Sequence, residues 1–282
     1  MTEIIVPTTT TNKGRPIIKV SFKQPDGKWS AFIEMNFDTG ATYPTDIPIG
    51  IAPKWGRITN SDQKYYKDTP IKIEGFTNEF KIEVCLQDKD HYDLFKSQPP
   101  PTRFPLLRVR DMAQYMSFVF AKENTTMTLG TSQPQALKDA VAQGKSIPRL
   151  ADMKRRTGTP TSGWQWYKAD LINPVIGEKS NDWFPVNTGE RQAIVKRSLC
   201  DKVHLIYPDL GSDGRADSKA TISYTESNPL LTLSNVTIQV RDDDEDFARG
   251  GEPRNLIGGP PILDNWKIVL WSSYLHLAFI PR

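Results

Sequence analysis

The chain has 282 residues, 38% of them hydrophobic and 24% charged, with a formal net charge of +3. That length supports two ordinary domains, or one bilobal one, with a real core; the small charge, with basic and acidic residues interleaved, excludes the positive stripe that nucleic acid selects. Two cysteines, Cys85 and Cys200, cannot build a disulfide framework, and His91, His204 and His276 are scattered without ligand spacing, so no metal centre and no cofactor is expected.

The opening Met1-Thr2-Glu3-Ile4-Ile5-Val6-Pro7 lacks the basic and apolar regions of a signal peptide, and no stretch approaches the roughly 20 apolar residues of a membrane span. These features predict a soluble, reduced, cytoplasmic protein with no membrane partner. Residues 1–13, rich in threonine, are expected to be a loose arm. A hairpin follows: Ile17 to Lys23 alternates as a strand, Gln24-Pro25-Asp26-Gly27 is a turn, and the alternating run Trp29 to Asn36 answers it. That run delivers Phe37-Asp38-Thr39-Gly40-Ala41 into a sharp turn. Ile47-Pro48-Ile49-Gly50-Ile51 is broken by proline and is expected to be an edge or short strand at best.

Ile71 to Phe76 and Phe80 to Leu86 alternate cleanly around Thr77-Asn78-Glu79, predicting a second hairpin, either a lid over a cleft or a solvated sheet edge. Pro99-Pro100-Pro101 stiffens a loop. Then come Leu106-Leu107, a short helix at Asp111 to Tyr115 and a strand at Ser117 to Phe120. Gln135 to Gln143 is a helix candidate closed by Gly144, and Lys154-Arg155-Arg156 reads as exposed linker. The composition places an interlobe linker at residues 131–162, between a first lobe at 14–130 and a second at 163–282.

The second lobe repeats the parts of the first. Tyr167 to Ile172, a turn, and Trp183 to Val186 lead to Asn187-Thr188-Gly189, which stands where Asp38-Thr39-Gly40 stood. A hairpin follows at Ala220 to Tyr224 with Leu231-Thr232-Leu233 and Val236 to Val240, then the acidic run Asp242 to Asp246, which lacks calcium-loop spacing and reads as a solvated loop. From Asp38 to Leu106 is 68 positions, and from Asn187 to Leu256 is 69. From each apolar pair on to the final strand the two halves match without a gap, Gln114 to Val119 against Asp264 to Val269. This is a duplicated unit. The tryptophans Trp164, Trp166, Trp183, Trp266 and Trp271 read as core packing.

The two Thr-Gly turns, each followed later by an apolar pair, a short helix and a strand, resemble the aspartic peptidase superfamily: pepsin-like chains, or two retropepsin-like lobes fused in tandem. The resemblance implies a mostly β, bilobal fold with two pseudo-symmetric lobes and a cleft between them. It implies that Asp38 faces position 187 at the cleft floor and that Thr39 and Thr188 hydrogen-bond across between the lobes, with Gly40 and Gly189 in the supporting turns. It also implies that Ile71 to Leu86 is a flap with Gly75, Phe76 and Thr77 at the substrate, that the Tyr224 to Val240 hairpin is its counterpart, and that the fused chain is a monomer.

The pattern departs from that family at three places. Peptide hydrolysis there needs two carboxyl groups sharing one proton, and position 187 is Asn. Glu190 stands where a small residue is usual, which places a carboxylate near the pair, and Arg108 replaces the glycine after Leu106-Leu107. Three readings compete: an aspartic endopeptidase acting through Asp38, a catalytically silent protein that binds an extended peptide or another partner, and an enzyme using Asp38 as a lone general acid or base on a small molecule.

Overall fold

The structure, a computed structural model, describes residues 4–6, 9–10, 16–24, 26–39, 45–48, 65–87, 106–123, 125–150, 166–188, 190–225, 227–243, 255–272 and 276–282. Strand β1 (Ile4–Val6) and β2 (Thr9–Thr10) come first, so the segment expected as a loose arm carries two strands. Its apolar Ile-Ile-Val run pairs antiparallel with residues 125–127, and this pairing is what holds it. Next come β3 (Pro16–Phe22) and β4 (Ile33–Asp38), joined through a turn in which Gly27 has φ +83° and its N–H bonds Gln24 O at 2.9 Å. Alternation on β3 sends Ile18, Val20 and Phe22 inward, all essentially without exposure, while Lys19 points to solvent.

The first lobe continues with β5 (Thr45–Pro48), β6 (Tyr65–Ile73), β7 (Phe80–Gln87), β8 (Leu106–Arg108), helix α1 (Val109–Ala113), β9 (Met116–Phe120) and β10 (Thr125–Leu129). The order β3-β4-β8-β5-β7-β6 closes on itself through a β3–β6 pairing, making a barrel. Strand β5 is short, four residues ending at Pro48, as the proline predicts, but it lies between β8 and β7 rather than at an edge. Helix α2 (Gln135–Ala142) is where the apolar spacing predicts it, and Gly144 follows with φ +71°. Strand β11 (Arg149–Leu150) follows it.

The second lobe comprises β12 (Trp166–Ile172), β13 (Lys179–Asn187), β14 (Ala193–Lys196), helix α3 (Arg197–Lys202), β15 (Arg215–Tyr224), β16 (Ser227–Asn228), β17 (Leu231–Arg241), β18 (Ile257–Gly258), helix α4 (Gly259–Leu263), β19 (Trp266–Trp271) and β20 (His276–Pro281). Its sheet runs β14-β17-β15-β12-β13-β18, and the bridge between Ile194 and Leu256 brings its two ends together. The duplication reaches register. Val109 and Gly259, the first residues of α1 and α4, are 150 apart, as are Met116 and Trp266, the first residues of β9 and β19. Both lobes also pair their fourth-strand equivalents in parallel, β4 with β8 and β13 with β18.

A seven-stranded sheet, β1-β10-β9-β19-β20-β11-β16, runs through both lobes. At its centre β9 and β19 pair antiparallel with Val119 opposite Val269, two residues that are themselves 150 apart, so the pseudo-twofold axis passes between them. One apolar core extends from the first barrel across this sheet into the second. On the far face Leu137 and Ala140 of α2 cover Val119, Val269, Ala278 and Ile280. The whole is a mostly β, bilobal, pepsin-like fold.

The tip of the hairpin expected to be a flap packs on the core and on the interlobe sheet. Phe76 is only 6% exposed and packs edge-on against Phe80 within the core, and a Cβ at Gly75 would sit 3.5 Å from Ile4 of the shared sheet. In the second lobe the tip of the β15–β17 hairpin, Ser227–Asn228, adds to the same sheet as strand β16 against β11. Both hairpin tips therefore buttress the edges of the interlobe sheet. Alternating apolar residues identified the hairpin but carried no information on which way its tip points. The Pro99 to Pro101 loop, the Lys154 to Arg156 run, most of the acidic run, Gly40 and Gly189 lie outside the described residues.

Candidate functional site

Strand β4 carries Met35 and Phe37 into the core, with Phe37 ring-to-ring against Phe118 and Phe120 at 5.1 Å each, on the shared sheet. Each such aromatic contact contributes about 0.5–1.5 kcal/mol beyond area burial. Alternation then puts Asp38 on the opposite face of β4, and the last residue of β13, Asn187, occupies the corresponding place in the second lobe. Asp38 is 7% exposed and Asn187 4%.

The residues that follow them lock the two turns together. Thr39 N–H donates to Thr188 Oγ1 at 3.0 Å, and Thr188 N–H donates to Thr39 Oγ1 at 2.9 Å. Each hydroxyl passes its own proton on across the junction: Thr39 Oγ1 donates to Val186 O and Thr188 Oγ1 to Phe37 O, both at 3.1 Å. All four bonds cross between lobes, and the backbone groups they satisfy lie immediately beside Asp38 and Asn187. This reciprocal lattice needs a hydroxyl on both sides, since only a group that donates and accepts can close it.

The two turns are supported differently from behind. In the second lobe Asn187 stands beside Gly258 in the parallel β13–β18 pair. Glu190 N–H donates to Asn187 O at 3.2 Å, and Gly259 N–H to Glu190 O at 3.1 Å. A Cβ at Gly258 would lie 2.6 Å from the carbonyl oxygens of both Glu190 and Gln192, so backbone packs on backbone and only glycine fits. In the first lobe Asp38 stands beside Arg108 in the equivalent β4–β8 pair. Arg108 N–H donates to Thr45 Oγ1 at 3.2 Å and its Nε to Asp111 Oδ1 at 2.8 Å, while Thr45 donates to Asp111 Oδ2 at 3.2 Å. Glu83 lies 3.9 Å from the same guanidinium. A closed ionic lattice replaces the glycine contact.

The structure thus brings Thr39 and Thr188 together at the lobe junction, with Asp38 and Asn187 next to them in the chain and the backbone of Glu190 bonded to Asn187 O. Gly75 lies against Ile4 of the interlobe sheet, Phe76 packs on Phe80 in the core, and Thr77 is exposed. The sequence reading missed Thr45 and Asp111; the available signal was Arg108 itself, an arginine at a glycine position with an acid three residues on, one helical turn away. Cys200 is no alternative nucleophile, because burial pushes its thiol up to about 12. Among the described residues no group of histidines, cysteines and carboxylates could hold a metal ion, and no helix is long and apolar enough to cross a membrane.

No family model and no curated protein matches the chain. Solved structures do. The chain is similar to an aspartic proteinase from Irpex lacteus, at 10% identity and a TM-score of 0.54, over 99% of this chain and 97% of that one. It is also similar to the basic 7S globulin of soybean, at 8% identity and a TM-score of 0.57, over 99% and 95% respectively. The likeness is one of fold over the full length.

Proposed function

We propose that this aspartic-peptidase-like protein binds an extended peptide in the interlobe cleft through Asp38 and Asn187, and that it holds the peptide without cleaving it. The observation that carries this reading is the intact four-bond threonine lattice around a pair with one carboxylate and one amide. The threonine bonds that join the turns carrying these two side chains are present, while the second carboxyl group that hydrolysis requires is missing. An amide donates to a peptide carbonyl through Nδ2 and accepts an N–H through Oδ1, but it takes no proton from water. Asp38 alone cannot be both the acid that polarises a carbonyl and the base that activates water. Loss of one member of such a unit lowers turnover by several orders of magnitude, yet leaves both hydrogen-bonding groups in place for binding.

The test is affinity. Peptides selected from a random library on the native chain are expected to lose at least about tenfold in affinity for Asp38→Ala, the equivalent of one charge-assisted hydrogen bond. Peptides that bind Asp38→Ala equally well would show that the junction is not the site.

A further inference from the structure

Among the described residues two buried side-chain atoms have no hydrogen-bond partner: Asn36 Oδ1 and Thr125 Oγ1. Thr125 belongs to the interlobe sheet, paired with Val6. Asn36 is different, because it lies two residues before Asp38 on β4, and alternation places the two side chains on one face of the strand. Its cross-strand partner Ile17 shares that face, whereas Met35 and Phe37 take the inner one. Asn36 is only 2% exposed. A buried carbonyl oxygen without a donor destabilises the free protein, and a leucine of nearly the same size would remove that cost.

We infer that Asn36 Oδ1 is an acceptor held for the ligand, so that the bound peptide carries a side chain with an N–H or O–H donor at the position that meets β4 beside Asp38. This rests on the peptide-binding reading and gives it a direction. The corresponding position of the second lobe, two before Asn187, is Pro185, which offers neither a donor nor a side-chain acceptor. The peptide therefore meets a polar contact on the Asp38 side of the junction and an apolar one on the Asn187 side. Donor selectivity of this kind can be steep, because a ligand lacking the donor leaves the buried acceptor unpaired in the complex.

The test compares the native chain with Asn36→Leu, using a cysteine-free library of extended peptides and thermal unfolding. The native chain is expected to enrich Gln, Asn, Ser or Lys at one peptide position. Asn36→Leu should still bind peptide but prefer Leu or Met there by about tenfold or more, and should melt about 2–4 °C higher for each orphan-sized gain in stability. Peptide binding with the same donor preference in both proteins, or a lower melting temperature for Asn36→Leu, would overturn the inference and leave the peptide-binding reading standing. Absence of peptide binding by both would overturn the two together.

Discussion

Thr39 and Thr188 each use one hydroxyl twice, as acceptor from the other turn's N–H and as donor to a carbonyl of the opposite strand. Thr188 has no exposure at all, so valine fits its volume but leaves Thr39 N–H and Phe37 O unpaired in the interior. Thr188→Val is expected to lower stability by about 2–6 kcal/mol, from two orphaned buried groups at about 1–3 kcal/mol each, as read by urea unfolding. The two hydroxyls serve four different backbone groups, but the turns they join are in contact, so Thr39→Val added to Thr188→Val is expected to depart from the sum of the single changes by about 0.5 kcal/mol or more. Additive costs would mean that the four bonds act separately.

Away from the junction, two buried groups make the fold sensitive to alkali. Burial holds the Cys200 thiol at about 12 instead of 9.0, and holds the Tyr224 phenol well above its ordinary 10.0. In both cases the folded-state value is raised, so the unfolded chain releases the proton first. The stability is complete below about pH 9 and is lost as pH rises, by up to about 1.4 kcal/mol per pH unit for each group. Urea midpoints should fall from about pH 9 on, first through Cys200 and then, above about 10, through Tyr224 as well. Cys200→Ala should flatten the first part of that fall and leave the second; an unchanged profile would contradict the assignment.

At the scale of elements, the two strand-to-helix corners that carry Asp38 and Asn187 descend from one repeated unit but are closed by different physics. β18 enters α4 through Gly258, wedged between the carbonyls of Glu190 and Gln192 at a distance no Cβ tolerates. β8 enters α1 through Arg108, whose side chain is tied to Asp111 and whose backbone N–H is held by Thr45, itself bonded to Asp111. Gly258→Ala is therefore expected to displace the 190–192 turn and to lower stability by about 1–3 kcal/mol, with a matching loss of peptide affinity. A stable Gly258→Ala chain with native affinity would show that the corner has more freedom than its packing allows.

These corners also show what the sequence could and could not reveal. Asp38, Asn187 and the two threonines were legible because the duplicated order and spacing aligned them, and because a strand running into Asx-Thr-Gly is a local signal. Helix α2 was legible from its apolar spacing and Gly144. The destination of the β6–β7 hairpin was not, since the same alternation suits a tip over a cleft and a tip against Ile4; only the long-range pairing of β1 with β10 decides it. The first strand was misread as an arm for the same reason. Asn36 gave no signal, because an orphaned acceptor is a property of its surroundings.

For the whole molecule, the continuous sheet across β9 and β19 and the shared core make the lobes one body around the axis between Val119 and Val269. Ion pairs add to this on the far side, where Lys122 reaches Asp264 at 2.7 Å and Arg282 meets Glu123; exposed pairs of this kind contribute at most about 1 kcal/mol each. The four threonine bonds join the turns that carry Asp38 and Asn187 across this same body. The measurement that bears most directly on the account is cleavage of a mixed peptide library between about pH 3 and about pH 7, comparing the native chain with Asn187→Asp. The account predicts no cleavage by the native chain and cleavage by Asn187→Asp, since one added carboxyl group completes a pair whose supporting lattice is already in place. Cleavage by the native chain that disappears in Asp38→Asn would contradict it and establish a peptidase that works with an amide opposite its aspartate.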